Sequence, residues 1–416
     1  MKYKSLYLLF PIIIFITEWA FILYLHYFQN PYQFIELSAD GSFILLSGIG
    51  ALVIGYFLMA YALPQHDEVN VIQINAKKTA IFVLVVSTII CLAIMISLQA
   101  LSEELGGLGG YFKNPFKMRD KINKFMSYSV EHVNLKYTLS NYVISFNNVL
   151  TVIGGFLFTQ KSRWRYVGIF PLIIGIVTSL ITLSRFTALT IIGYWFLAFF
   201  LTIFFFDHST ANRLFKRVFR YSVVIFLVVW GFFFLIVRIR TFYLKDIGDY
   251  FDKSLIAYFI GPVSAFDVWL SKNPKLLWGE SGFRSIIKWL GRFGLWDLQA
   301  VNVASNPFVR IGGGLAINTY TFVKTLYEDF GMPGVLFISL IWGGMMRWSL
   351  YFLQRKFNLF RLFLVIMLIF SLLMSFYAYY FEGLSSFVLY SLYIYFFDRL
   401  LRHYHFYQVE PVSREL

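Results

Sequence analysis

The sequence predicts an all-α polytopic membrane protein with about ten transmembrane helices. Three observations predict it. The 416 residues are 59% hydrophobic and only 14% charged, whereas soluble domains carry about a quarter charged residues. Aromatic side chains reach 21%, with 49 Phe and 28 Tyr, which suits helices that face lipid and end in aromatic belts. Apolar runs of the length needed to cross a hydrocarbon core of about 30 Å, about 20 helical residues, recur along the whole chain.

In order, the runs lie near 6–25, 42–62, 79–99, 138–158, 166–184, 186–206, 219–237, 331–353, 362–380 and 384–401. The first follows Lys2 and Lys4 but lacks a small-x-small cleavage pattern, so it reads as a retained span. The single cysteine, Cys91, lies in the third run. It excludes an intrachain disulfide and reads as a buried or lipid-facing thiol. The fifth and sixth runs are continuous over 166–206, interrupted only by Pro171 and one charge, Arg185. An arginine at the bilayer centre costs about 2.5–3.5 kcal/mol or more. The stretch is long enough for two spans back to back, with Arg185 at the turn, so Arg185 belongs at a membrane face.

Short-loop charges set the face. Lys77 and Lys78, then Lys161, Arg163 and Arg165, then Arg213, Lys216, Arg217 and Arg220 precede the third, fifth and seventh spans. Arg347, Arg355, Lys356 and Arg361 lie around the connection from the eighth to the ninth span, and Arg399 and Arg402 close the tenth. All fall on one side if the N-terminus is cytoplasmic, which also makes the C-terminus cytoplasmic and turns Arg185 outward. The expected organisation is one integral membrane domain, 1–416, with two long outer segments, 100–137 and 238–330. Those segments are themselves basic, carrying among others Lys113, Lys117, Lys121, Lys272, Lys275, Arg310 and Lys324. Long loops are largely exempt from the orientation rule, so their charge points to an anionic ligand outside.

Within the outer segments, 115–132 reads as an amphipathic helix lying on the membrane. Residues 252–270 read as a re-entrant or interfacial helix that Gly261-Pro262 should break or kink. Residues 283–296 read as a further short interfacial helix. The stretch 306–321, "NPFVRIGGGLAINTYT", reads as turn-rich before helix resumes. No internal repeat, low-complexity tract or soluble domain is present.

Cofactor motifs are absent: there is no Walker loop, no dinucleotide fingerprint after a strand, and no metal-ligand spacing. No cofactor and no metal are expected. "IGGGLA" lacks the lysine and helix of a phosphate loop and reads as a simple turn. The six histidines all lie outside 238–330.

What remains is arginine at the outer edge: Arg185 at its hairpin turn, Arg238 and Arg240 at the end of the seventh run, and Arg310 near the return of the loop. Guanidinium groups grip phosphate oxygens with paired hydrogen bonds. The competing reading is that they snorkel and anchor helix ends to headgroups. Glu328 and Asp329, just before the eighth span, read either as helix-capping acids or as a general base for a hydroxyl. Asp246, Asp249, Asp252 and Asp267 read as solvated. Glu382, beside Tyr377, Tyr379 and Tyr380, reads as lining a sugar path or as part of the aromatic belt.

The layout resembles the Wzy-type oligosaccharide repeat-unit polymerases of O-antigen and capsule synthesis. The residues that carry the resemblance are "TLSRFTAL" (182–189), "RIRTF" (238–242), "AYFIGPVSAFD" (257–267) and "NTYTFVKTLYEDFGMPGVLF" (318–337). The resemblance implies a polymerase/ligase-like, GT-C-like helical fold in a bacterial inner membrane, with the active site periplasmic. It implies transfer of a glycan from undecaprenyl pyrophosphate to a second lipid-linked repeat, without nucleotide sugar or metal. Arg185, Arg238, Arg240 and Arg310 would then bind pyrophosphate. Asp329 or Glu328 would take the acceptor proton, and Tyr258, Tyr320, Tyr327 and Glu382 would line the substrate path. The implied partners are undecaprenyl-pyrophosphate-linked oligosaccharides and membrane lipid, with a chain-length regulator and a flippase alongside, and no nucleic acid.

Three other functions compete. An O-antigen ligase shares the architecture but is associated with a histidine in the large outer loop, absent here. A flippase or other transporter would place ionisable groups within the spans, where the clearest charge is Glu18. A non-catalytic scaffold leaves the outer arginines unexplained.

Overall fold

A computed structural model describes residues 4–28, 33–64, 70–105, 135–182, 185–206, 231, 247–272, 274–283, 286, 287, 290, 307–355, 357–378 and 384–411. The helices are α1 (Lys4–Phe28), α2 (Ala39–Ala62), α3 (Ala76–Leu105), α4 (Leu135–Phe158), α5 (Phe170–Thr182), α6 (Arg185–Phe206), α7 (Ile247–Leu270), α8 (Phe322–Arg355), α9 (Leu359–Leu373) and α10 (Leu384–His403). A 3-10 turn, Arg163–Ile169, leads into α5, and four short strands complete the pattern: β1 (Asn70–Ile74), β2 (Val309–Gly312), β3 (Leu315–Ile317) and β4 (Tyr407–Pro411).

Among the described residues, seven helical segments are long and apolar enough to cross a membrane. They are Leu8–Phe28, Ala39–Ala62, Ala76–Ala100, Leu139–Phe158, Arg163–Leu180, Phe186–Phe204 and Phe322–Arg355. Large apolar side chains such as Phe57, Leu58 and Tyr61 on α2 stand exposed along them, as lipid-facing surfaces must. Cys91 on α3 is exposed as well. The chain is a helical multi-pass membrane protein. The expected seventh span, 219–237, lies outside the described residues save Gly231. The ninth appears as α9, whose 15 residues extend only about 22 Å. The tenth appears as α10, which carries Asp398, Arg399 and Arg402 in its last turns.

The chain divides into two compact units. The first comprises Met1–Asp67, Gly248–Lys356 and Met367–Ser391. Here α2 packs along α8 with backbones in near contact. A Cβ on Gly55 would fall on the Leu340 carbonyl, and one on Gly343 on the Leu52 carbonyl. Small residues on facing stripes are how helices associate in lipid, where no hydrophobic drive separates protein from solvent. Trp19 of α1 donates from Nε1 to Ser375 Oγ at 3.0 Å and meets Phe322 edge-on at 6.1 Å.

α8 is bent at Gly331, which takes φ 63° and ψ −154°. Glycine adopts this positive φ freely, and Pro333, two residues on, has no N–H to give to the helix. In α7 the expected break is absent: the helix continues through Pro262. Residues 260–267 are all buried, and packing outweighs the roughly 3 kcal/mol that an interior proline costs. Gly261 instead provides room, since a Cβ there would press on Ile311 and Ile317 of the β2–β3 hairpin at 3.1 and 2.8 Å. The hairpin turn is the glycine run, with Gly312, Gly313 and Gly314 at φ 93°, 58° and 77°.

The second unit comprises Glu68–Ile247, Phe357–Ile366 and Leu392–Leu416. α4 packs against α3, α5 and α6. Asn147 donates from Nδ2 to Pro171 O at 3.0 Å, and Trp195 from Nε1 to Gly168 O at 2.8 Å. Phe146 stacks on Tyr393 at 3.8 Å. Asp398 of α10 accepts from Leu359 N at 2.9 Å, so one helix caps the start of another. β1 and β4 pair antiparallel from Asn70↔Pro411 to Ile74↔Tyr407.

Candidate functional site

At one end of the first unit four segments converge: the start of α2, the end of α7, the loop 274–283 and the first segment of α8. Residues 33–38 are laced in place before α2 begins. Ile35 N donates to Ile311 O at 2.7 Å, Phe34 bridges to Gly312, Ser264 Oγ donates to Ile35 O at 2.7 Å, and Leu37 N donates to His26 Nε2 at 3.1 Å. This delivers Ser38 to the N-cap of α2, where its Oγ accepts from Gly41 N at 3.1 Å. Asp267, near the end of α7, accepts through Oδ1 from Ser38 N at 3.0 Å and from Ser38 Oγ at 2.5 Å. A carboxylate and a hydroxyl thus share the cap of one helix.

The first segment of α8 organises the loop. Asp329 accepts from Ser281 N through Oδ1 at 2.9 Å and from Gly282 N through Oδ2 at 2.6 Å. Leu277 N and Trp278 N donate to the carbonyls of Glu328 and Asp329 at 2.8 and 2.9 Å. The loop is clamped to the helix by four bonds and holds Trp278 at φ 50°, with 77% of its surface exposed. Glu328 pairs with Lys324 at 2.6 Å one turn away, both largely buried. The Lys324 ammonium also lies 5.2 Å from the Trp269 ring centre and 5.3 Å from that of Tyr320. Tyr320 donates to Pro307 O at 2.7 Å. Burial, reinforced by the Glu328 charge, pushes its hydroxyl well above the ordinary tyrosine range, so it stays a donor.

Beside this scaffold lies an open cavity of about 530 Å³, bounded by Ser38, Asp40, Phe43 and Ile44 of the α2 start, Asp267, Leu270 and Ser271 of the α7 end, and Tyr327 and Met332 flanking the α8 kink.

Of the residues singled out in the sequence, Tyr320, Tyr327, Glu328 and Asp329 come together here. Asp329 has both oxygens committed to backbone amides, and Glu328 is neutralised by Lys324. Tyr258 stacks on Tyr377 at 5.5 Å, about 13 Å back along α7 from Asp267. Arg310 stands exposed on β2 opposite Ala316. Arg185 is the first residue of α6, in the second unit, and its side chain lies outside what the structure describes. Arg238, Arg240 and Glu382 lie outside the described residues, as do 115–132 and most of 283–296.

Two residues were undervalued by sequence reasoning. Asp267, read as solvated, retains only 8% of its surface. Lys324, counted as one outer cation among many, is wholly buried, and the signal for it was present: Glu328 follows at i+4 on an otherwise apolar turn. The "SADG" before the second run was likewise a readable helix start. Chemically, this end of the unit offers carboxylates, hydroxyls and aromatic rings, suited to hydroxylated ligands. The chain matches no known family model, no curated protein and no solved structure.

Proposed function

We propose that the protein is a membrane glycosyltransferase that polymerises undecaprenyl-pyrophosphate-linked oligosaccharide repeats into O-antigen or capsular polysaccharide on the periplasmic face of a bacterial inner membrane. The observation that carries the reading is the position of Arg185. Arg185 is the one charge in the apolar stretch 166–206 and the first residue of α6. The positive end of the helix dipole therefore coincides with an arginine, a combination that favours a phosphate group.

In the reaction, a hydroxyl oxygen of the acceptor repeat bonds to the anomeric carbon of the donor glycan as the bond from that carbon to the pyrophosphate oxygen breaks. Undecaprenyl pyrophosphate leaves with the electron pair, and the hydroxyl proton passes to a carboxylate. Arginines stabilise the charge that develops on the leaving group, commonly the largest catalytic contribution. Within this reading Asp329 and Glu328 position the outer loop rather than accept the proton, since their hydrogen bonds are already made.

The test is a product gel, with purified protein in nanodiscs and synthetic lipid-linked repeats, in EDTA and without nucleotide sugar. Wild type should give a ladder, and Arg185→Ala at equal expression should lose about 100- to 1,000-fold in rate, as for one lost oxyanion donor. A ladder unaffected by the substitution removes Arg185 from the reaction.

One observation favours a transporter as second reading: Glu18 lies within α1, and its Oε2 is buried with no hydrogen-bond partner among the described residues. Carboxylates within spans commonly serve cargo or proton pathways. Glu18→Gln should leave the ladder intact if the protein is a polymerase, and abolish uptake of lipid-linked repeats into vesicles if it is a transporter.

A further inference from the structure

We propose that the cavity between the start of α2 and the kink of α8 is a sugar subsite, taking a neutral, hydroxyl-rich ring that donates hydrogen bonds to the open oxygen of Asp267 and to Asp40. Its role as the acceptor's terminal sugar rests on the polymerase reading, whereas the binding itself does not.

The cavity's volume of about 530 Å³ falls within the roughly 300–1,000 Å³ of small-molecule sites. Its polar lining is rich in acceptors. Two carboxylates, Asp40 and Asp267, line it together with the hydroxyls of Ser38 and Ser271. Asp267 is the informative group. It is more than nine-tenths buried and lines the cavity. Its Oδ1 takes both Ser38 donors, while its Oδ2 has no hydrogen-bond partner among the described residues. A ligand hydroxyl donated from the cavity that Asp267 lines would bond to that oxygen.

Tyr327, Phe43 and Met332 supply the flat apolar surfaces on which the C–H face of a sugar ring lies. Among the described residues no lysine or arginine lines the cavity, which disfavours a phosphate or pyrophosphate. Donor pyrophosphate and acceptor sugar are thereby given different residues. A hydroxyl on Oδ2 would also sit against a carboxylate, as deprotonation during glycosyl transfer requires.

The geometry supplies its own probes. Ser271 is exposed at the rim, so Ser271→Trp fills the cavity from outside without touching the cap of α2. Asp267→Asn leaves one oxygen for Ser38 and converts the open acceptor to a donor. Gly41→Ala would place a Cβ on Asp267 Oδ1 and push the carboxylate aside without removing its charge.

Saturation-transfer NMR on the full chain in nanodiscs, with glucose, galactose, rhamnose and N-acetylgalactosamine at millimolar concentration, reads binding directly. Glucosamine and inorganic pyrophosphate serve as charged comparisons, and thermal unfolding checks each variant. The expected result is transfer to at least one neutral sugar in wild type. It should fall tenfold or more in Ser271→Trp, at an unchanged unfolding midpoint, and in Asp267→Asn. No transfer to any neutral sugar, undiminished transfer in Ser271→Trp, or transfer only to glucosamine or pyrophosphate would overturn the assignment. Run beside the ladder assay, the two claims separate. Sugar binding without a ladder keeps the subsite and removes the polymerase, while a ladder with binding indifferent to Ser271→Trp does the reverse.

Discussion

Individual residues at the candidate site divide into those that hold and those left open. Asp329 holds: its two amide bonds bring in residues 48 and 47 positions away. Asp329→Ala would strand two buried N–H groups, and we expect a loss on the order of 3 kcal/mol, measured as a lowered unfolding midpoint. Lys324 and Glu328 hold each other. Lys324→Met alone leaves an uncompensated buried carboxylate and should cost about 3–5 kcal/mol, while Lys324→Met with Glu328→Leu should recover most of it. A double-mutant cycle on thermal stability reads that coupling. The Lys–Glu pair was legible in the sequence, because i and i+4 share a helix face whatever the fold. The amide partners of Asp329 were not, because only the folded loop brings Ser281 and Gly282 to it. Asp267 was misread for the same reason. Its neighbour Ser38 is 229 residues away, and nothing in "SAFDVWL" announces a helix cap in another segment.

Elements were legible where hydropathy alone decides them. α2, α3, α4 and α6 follow their apolar runs, and α6 opens on Arg185, the one charge in the stretch 166–206. The bend in α8 is signalled by "GMPG". The continuity of α7 through Gly-Pro was not legible, since it depends on burial against the hairpin. Packing of α2 on α8 is close enough that side-chain volume decides it. Gly343→Leu should therefore separate the pair and lower stability by several kcal/mol, as overpacking and backbone collision combine, seen as a lower unfolding midpoint with loss of folded protein in detergent. The tie from Tyr320 to Pro307 gives an alkaline signature. A tyrosine held protonated in the folded state contributes stability fully below its unfolded pKa of about 10, and loses it as pH rises toward its elevated folded value. Thermal stability should decline above about pH 10, and Tyr320→Phe should flatten that decline.

At the scale of the molecule, strand pairing bears on sidedness. β1 lies between α2 and α3, β4 follows α10, and the two pair, so those connections share a face. Phe34, between α1 and α2, pairs with Gly312 in the large loop, so those two share a face as well. The charge-based orientation counts the first pair as cytoplasmic and the second as periplasmic. In a Cys91→Ser background, cysteines at Tyr404 and Trp278 should label from opposite sides of sealed vesicles. Labelling from the same side would remove the proposed orientation. Of the ten spans the sequence predicts, the described residues show seven segments long and apolar enough to cross a membrane, since α9 is short and α10 is charged at its end.

The central claim is that each turnover makes one glycosidic bond and releases one lipid pyrophosphate. The most direct measurement follows both products together, with purified protein in nanodiscs and radiolabelled undecaprenyl-pyrophosphate repeats. The account predicts release of undecaprenyl pyrophosphate in equal number to new linkages, in EDTA and without nucleotide sugar. Lipid-linked repeats that remain single, with no pyrophosphate released, would contradict it.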